Sequence, residues 1–355
     1  MPRKPAVGAN PDAASEAMPR ILRTEWPAGT AAPPAATELA IDEAAAVLAR
    51  GGLVAIPTET VYGLAAVAID PAAVQRIFEA KGRPPRNPLI VHVADVDAAR
   101  SLARSWPPAA ERLTSRFWPG PLTVVVSKRE IVPDVVTAGG DTVAIRCPAH
   151  PIARRLIERL GLPIAAPSAN ASLSVSPTTA AHVAAGLGDR VELILDAGPC
   201  DRGIESTVVD CTATPPRILR PGPIDRLAVE EAVGGAVIDG GATEPILRSP
   251  GLTGRHYAPR ASLELSTDAA KRVVELVGMG RRVGLITWKH PSASARDGQL
   301  VVHPLPDDPA GFARGLYAAL HDLDAAEVDM IVVECPPPEE EWRAVRDRLQ
   351  RAAIS

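Results

Sequence analysis

The string Pro57-Thr58-Glu59-Thr60-Val61-Tyr62-Gly63-Leu64 directly follows the apolar run Leu53-Val54-Ala55-Ile56. Two hydroxyls, a carboxylate and a phenol thus crowd the exit of a strand, where α/β folds place ligands. The same residue types cap helices and shape turns, so spacing alone leaves both readings open. Lys81-Gly82-Arg83-Pro84-Pro85-Arg86-Asn87-Pro88 then sets three cations close together with no acid among them. Its prolines stiffen the segment, so the cations lose less freedom on gripping a phosphate or carboxylate. A solvated charge run is the competing reading. His92 falls in an apolar strand, where a histidine is commonly a satisfied core residue. Arg146 ends the apolar run Thr142–Arg146 and is buried there only if paired, with a protein carboxylate or with an anionic ligand. Pro167-Ser168-Ala169-Asn170, Glu205-Ser206-Thr207 and Leu219-Arg220-Pro221-Gly222 repeat the theme of small polar or basic groups at strand ends. Ser168 lacks a G-x-S-x-G setting and is not expected to be a nucleophile. The set describes a cleft for an anionic ligand, without a covalent nucleophile or a metal cage. No Walker A string and no G-x-G-x-x-G occurs, so a nucleotide here would be held by other means.

Short elements must position these groups. Leu39, Ile41, Ala45 and Leu48 mark one helical face that ends at Gly51-Gly52. Asp70-Pro71 starts a second helix, with Asp as cap and Pro in the first turn, running to Lys81-Gly82. Strands are expected at 53–56, 89–93, 122–126, 142–146, 164–166, 193–195, 207–209 and 218–219. Helices are expected at 97–104, 109–117, 151–160, 178–186 and 225–233. Strands interleaved with helices indicate an α/β domain. Links as short as that between 207–209 and 218–219 cannot hold a crossover helix, so the sheet is mixed. Residues 1–36, rich in Ala and Pro, read as a mobile extension, with Ile21-Leu22-Arg23 able to add a short edge strand. The first domain is placed at 37–233 and a Gly-, Pro- and Thr-rich linker at 234–260. A smaller α/β module is placed at 261–355, with strands at 262–265, 283–287, 301–303 and 330–334.

Composition narrows the function classes. Of 355 residues 46% are apolar, which supports sizeable cores and excludes wholesale disorder. A net charge of −4 with a pI near 6.0 excludes a general polyanion binder but not a local basic groove. Cys147, Cys200, Cys211 and Cys335 form no C-x-x-C pair, which argues against a zinc site or disulfide framework and for reduced thiols in a cytoplasmic protein. No apolar run reaches the ~18 residues of a membrane span. Arg3 and Lys4 precede no apolar stretch of the kind a secretory signal carries.

PTETVYGL, then KGRPPRNPLIVHV, FWPGPLTVVV, TVAIRCP, APSAN, ESTVVD and LRPG, in this order over 38–224, resemble the YrdC-like family. SPGLTGRHYAP at 249–259, with the C-terminal module, is similar to that family's two-domain branch, the L-threonylcarbamoyladenylate synthases. The resemblance implies a twisted open α/β mixed sheet with a basic concave cleft, plus a smaller Rossmann-like C-terminal domain. It implies a nucleotidyltransferase that makes threonylcarbamoyl-AMP and pyrophosphate from L-threonine, bicarbonate and ATP, for modification of tRNA by a separate transfer complex. Magnesium would accompany ATP with no dedicated protein metal site, and no membrane partner is implied. By motif, Lys81 and Arg83 are implied as the catalytic cations. Thr60, His92, Arg146, Ala166 and Ser206 are implied on the threonine side. Asn87, Thr142, Ser168, Asn170, Ser176, Arg220 and Tyr257, with Arg83, are implied on the nucleotide side, Tyr257 as a lid residue in the linker. One departure stands out. The family often reads S-A-N-x-S-G, whereas Ser172 is followed here by Leu173, which lacks glycine's access to positive φ and puts this loop's path in question.

Two other functions fit the residues. A non-catalytic module could grip RNA by shape through a basic hollow, and weak tRNA binding is compatible with the same surface. With 5 Trp, 3 Tyr and 3 Phe, the chain lacks the aromatic platforms that bind single strands. The other alternative is a carbamoyl-adenylate enzyme serving a different acceptor.

Overall fold

The computed structural model describes residues 19–240, 256–288 and 298–354. The described chain runs β1 (Arg20–Arg23), α1 (Ala35–Ala49), β2 (Val54–Ile56), β3 (Gly63–Val67), α2 (Pro71–Lys81), β4 (Ile90–His92), α3 (Val96–Leu102), α4 (Pro108–Phe117) and β5 (Leu122–Ser127). It continues with α5 (Asp134–Thr137), β6 (Thr142–Arg146), α6 (Pro151–Leu160), β7 (Ile164–Ala165), α7 (Ala180–Leu187), β8 (Leu193–Asp196), β9 (Thr207–Asp210), β10 (Arg217–Arg220), α8 (Arg226–Val233) and β11 (Ile238–Asp239). The remainder holds β12 (Ser262–Ser266), α9 (Ala269–Gly278), β13 (Val283–Thr287), β14 (Leu300–Pro304), α10 (Pro309–Ala325), β15 (Met330–Glu334) and α11 (Arg343–Ala352).

Eleven strands form one mixed sheet in the order β1-β8-β2-β3-β7-β4-β6-β5-β9-β10-β11, and four form a parallel sheet in the order β12-β15-β13-β14. β3 is absent from the sequence reading. Gly63-Leu-Ala-Ala-Val has no alternation because all five residues are buried, and it pairs antiparallel with both β2 and β7. Within the stretch read as an extension, β1 adds an edge to β8 in parallel, at the residues where an edge strand is expected. Residues 1–18 lie outside the described residues, as does much of the expected linker, at 241–255. The second helix forms as its sequence dictates. Asp70 accepts from the amides of Ala72 and Ala73 at 2.9 and 3.2 Å, Pro71 opens the first turn, and Gly82 ends the helix at φ +58°.

The two faces of the large sheet are treated differently, and this makes the site. Alternate residues such as Leu64, Ala66, Val91, Val143 and Ile145 join one core with α2, α4, α7 and α8. Val54, Ile56, Ala65 and Val67 face the other way, into α1 and α6. Those two helices do not reach the far half of their face. There Ile90, Ala144, Val125, Val208 and Leu219 form a small apolar floor of their own, and Ile90 lines one pocket with His256 and Tyr257. Val61, Val175, Ile204 and Tyr257 share a core with Phe312, Leu316, Tyr317 and Leu349 of the C-terminal domain. Burial of apolar surface therefore stabilises the contact between the two sheets as it does each core.

Candidate active site

The alternation of β4, β6 and β5 aims His92, Arg146 and Thr123 off the sheet beside that apolar floor. Register places His92 opposite Arg146 and Arg146 opposite Thr123, so the three sit side by side across adjacent strands. β10 ends in Arg220, and Ser206 immediately precedes β9. The result is one pocket lined by Thr60, Arg83, His92, Arg146, Ala166, Ser168, Ser206, Arg220 and Tyr257 of the expected residues, together with Glu205 and His256.

Each group is held. Arg146 donates to the Thr60 hydroxyl at 2.8 Å and lies 2.7 Å from the Glu59 carboxylate, with both ion-pair partners buried. Burial pushes the Glu59 carboxyl up, but Arg146 outweighs it and holds it below the usual value. His92 donates from Nδ1 to the Ile90 carbonyl at 3.3 Å, which leaves Nε2 as an acceptor. Burial, with Arg146 nearby, pushes its pKa down to about 3, so it is a neutral imidazole at ordinary pH. Ser206 Oγ is 2.8 Å from Thr123 Oγ1 and accepts from Arg220 at 3.1 Å. Arg83 donates to the carbonyls of Asn87 at 3.0 Å and Pro88 at 2.8 Å. Among the described residues no carboxylate lies within ion-pair range of Arg83 or Lys81, although both are buried. Burial and neighbouring guanidinium charge press the pKa of each downward, which is the electrostatic signature of a site short of an anion.

Five expected residues stand outside this lining. The buried Lys81 ammonium donates to the carbonyls of Ser168 and Asn170, behind the pocket wall. Asn87 contributes its carbonyl to Arg83 rather than a side-chain contact to the pocket. Asn170 uses its amide on the Ala171 and Ser174 carbonyls, at 2.9 and 2.8 Å. Ser176 donates to Glu205 at 2.6 Å. Thr142 shares its face of β6 with Arg146 but lies four residues away, ~13 Å along the strand. The loop at Leu173 keeps the geometry that glycine would favour. Leu173 itself takes φ +72°, and its carbonyl receives the Ala258 amide at 2.9 Å.

His256 and Tyr257 close the pocket. The His256 amide donates to the Arg351 carbonyl, and Tyr257, at φ +59°, stacks on Tyr317 with centroids 5.8 Å apart. Glu59, Glu205 and Arg348 also hold the site together, although the resemblance implies no role for them. The first two sit inside the motifs that carry the resemblance, next to residues it implicates. Arg348 carried a signal of its own, as a charge on the apolar stripe formed by Ala344, Val345, Leu349 and Ala352. The four cysteines are free thiols, and burial pushes the pKa of each upward, that of Cys147 to about 11, so none is an activated nucleophile. Among the described residues no group of three or more His, Cys, Asp or Glu could hold a metal, and no helix is long and apolar enough to cross a membrane.

Known proteins are similar to this chain in sequence and in fold. A family model of the Sua5/YciO/YrdC type, described as "Telomere recombination", matches residues 46–222. A second, described as "Threonylcarbamoyl-AMP synthase, C-terminal domain", matches 224–354. The threonylcarbamoyl-AMP synthase of Pyrococcus abyssi is 44% identical over 321 residues, 87% of this chain and 93% of its own. That of Bacillus subtilis is 42% identical over 331 residues, 88% of this chain and 92% of its own. A crystal structure of P. abyssi Sua5 with L-threonine superposes with a TM-score of 0.85 at 40% identity, covering 94% of this chain and 97% of that one. Family models that together cover residues 46–222 and 224–354, with relatives matched over nearly their whole length, place this chain, with its buried cations on the open half of a mixed sheet, in the Sua5/YciO/YrdC family, among its two-domain threonylcarbamoyl-AMP synthases.

Proposed function

We propose that this pocket joins L-threonine, bicarbonate and ATP into threonylcarbamoyl-AMP and pyrophosphate, with the residues acting as follows. The observation that carries the reading is the convergence of Arg83, Arg146 and Arg220 on one pocket, where Arg83 is buried with no carboxylate among the described residues within ion-pair range. A relative of the same fold has been crystallised with L-threonine, which favours the amino acid as one substrate.

Arg146, aligned by Glu59, takes the threonine carboxylate, and Thr60 and Ser206 offer hydroxyls to the rest of the molecule. The Nε2 acceptor of neutral His92 orients the amine without adding positive charge. The neutral amine condenses with bicarbonate: the nitrogen–carbon bond forms, the hydroxyl of bicarbonate leaves as water with a proton from nitrogen, and an N-carboxylate results. One of its oxygens attacks the α-phosphorus of ATP, the bond to the β-phosphate oxygen breaks, and pyrophosphate leaves. The nucleophile is borne by the substrate, so the protein supplies charge and alignment instead of a covalent partner. Arg83 and Arg220 meet the phosphates where negative charge accumulates, and Lys81 fixes the carbonyls of the Ser168–Asn170 turn behind them. Alignment of attacker and leaving group supplies much of the remainder, for which well-oriented reactions reach ~7–11 kcal/mol. Thr142 lies further along the same face, in line with a nucleotide extending away from Arg146. Magnesium arriving with ATP would be held by phosphate oxygens and water. The product feeds a separate transfer step onto tRNA.

His256-Tyr257 keeps the labile carbamate from bulk water. P. abyssi Sua5 has also been studied as a variant with an adjacent His and Tyr both changed to Ala. The test follows labelled threonine into an adenylate. Wild-type protein releases pyrophosphate only with threonine and bicarbonate together, and Arg83→Ala abolishes that release. Near-normal turnover in Arg83→Ala, or pyrophosphate release indifferent to threonine, would sink the assignment.

A further inference from the structure

Wall and lid of the pocket meet on one side chain from the far end of the chain. Arg348 projects from the apolar face of α11 and is 0% exposed at its side chain. A guanidinium so placed needs compensation, and most of it comes from the first domain. Nε donates to Glu205 Oε2 at 2.8 Å, and one terminal nitrogen to the Pro221 carbonyl at 3.0 Å. The other pairs with Asp347 at 2.6 Å. Over the guanidinium lies the Tyr257 ring, 5.1 Å from the central carbon to the ring centroid.

These partners are not scattered. Glu205 precedes Ser206, and Pro221 follows Arg220. The free side of the Glu205 carboxylate is also engaged, by the Ser176 hydroxyl at 2.6 Å on Oε1, and Tyr317 adds a bond to Oε2 at 3.1 Å. Burial pushes Glu205 up, yet Arg348 and Arg220 together bring its carboxyl down to about 2, so the acid stays ionised between them. Tyr257 meanwhile occupies a left-handed backbone conformation that costs a tyrosine free energy and persists only where the surroundings enforce it. Its ring is held between Arg348 on one contact and Tyr317 on another. One guanidinium thus grips the residues beside two substrate-facing groups and the ring that covers them.

We propose that Arg348 is a positioning residue of the active site, through which the C-terminal domain ties the Glu205-Ser206 and Arg220-Pro221 wall to the lid residue Tyr257 and so sets the closed, substrate-holding state. This rests on the reading that the pocket binds threonine and ATP. Removing Arg348 lowers the fraction of closed molecules, and apparent affinity falls in proportion. A side chain that merely balanced the Glu205 charge would act differently, because neutralising Glu205 at the same time would restore everything.

The experiment compares full-length wild type, Arg348→Lys, Arg348→Met and the double variant Glu205→Gln/Arg348→Met. Calorimetric binding of threonine and of a non-hydrolysable ATP analogue, steady-state KM and kcat, and the thermal midpoint are measured for each. Arg348→Met is expected to weaken both ligands about tenfold or more, with KM rising more than kcat falls. Arg348→Lys, with a charge but no planar fork, falls in between. The double variant recovers the thermal midpoint and keeps the weakened binding. Wild-type affinity in Arg348→Met, or in the double variant, overturns the proposal while leaving the site assignment intact. A wild-type protein that binds neither ligand overturns the site assignment, and this inference with it.

Discussion

Arg146→Met leaves the Glu59 carboxylate buried without its cation, and the consequence can be worked out. The pair is separated by 2.7 Å, and both side chains are under one-tenth exposed. At an effective dielectric of ~20 the lost attraction is about 6 kcal/mol. Relaxation offsets part of this, and breaking a buried pair from one side costs about 3–5 kcal/mol in practice. With both halves of the 355-residue chain unfolding together, at ~2.1 cal/mol/K of unfolding entropy per residue, the thermal midpoint should fall by roughly 4–7 °C. The pH dependence is the sharper test. In the wild type the folded pKa of Glu59 is depressed, so its contribution is present above the unfolded carboxylate value and is lost as pH falls through the folded one. In the variant burial remains and the opposing charge is gone, so the folded pKa rises above the unfolded value. The penalty is then full at neutral pH and fades as acid protonates Glu59. Urea unfolding at several pH values from about 8 down to 5 should show the gap between wild type and variant narrowing with acid. Glu59→Gln/Arg146→Met should recover most of the stability but not threonine binding. A gap that stays constant with pH, or a variant as stable as wild type, would refute the pairing argument.

Lys81→Met should cut threonine-dependent pyrophosphate release by about 10²-fold with an unchanged circular dichroism spectrum, because the Ser168 and Asn170 carbonyls lose their shared donor. His92→Gln should lower turnover without changing the shape of the pH–rate profile between about pH 6 and 9, since a group titrating near 3 adds no inflection there. Loss of an inflection near neutrality would show that His92 titrates. Leu173→Gly should raise the thermal midpoint by a degree or two, as glycine relieves a left-handed backbone worth about 1 kcal/mol and returns part of that in chain entropy. A lowered midpoint would mean that the half-exposed leucine packs more than its surroundings suggest.

Strand ends were legible in the sequence because each is an apolar run stopped by a polar residue, as at Arg146, Arg220 and Ser168. Such stops mark the rim of a sheet whatever its topology, and the rim is where the pocket formed. The order of strands was not legible, since β8 enters between β1 and β2 through contacts remote in sequence. β3 was hidden by its uniform small apolar residues, which fit a loop, a helix or a doubly covered strand equally well. Motif resemblance chose residues by position, and the structure separates those that face the pocket from those that brace it. Lys81 looks like a ligand-gripping cation in the string KGRPPRN. Its location at the last turn of α2 turns it inward to two carbonyls instead. The ion pairs that complete the wall cross from residue 59 to 146 and from 205 to 348, and no local pattern announces a partner at such range.

The core that Val61, Val175, Ile204 and Tyr257 share with Phe312 and Leu316 has a mechanical consequence. Swinging the two sheets apart like the covers of a book would wet all of that oil-like seam at once, whereas peeling back the short stretch around His256-Tyr257 would wet only a ring or two. Substrate traffic should therefore use a flap rather than a hinge, and heating should melt both halves of the chain in one event, not two.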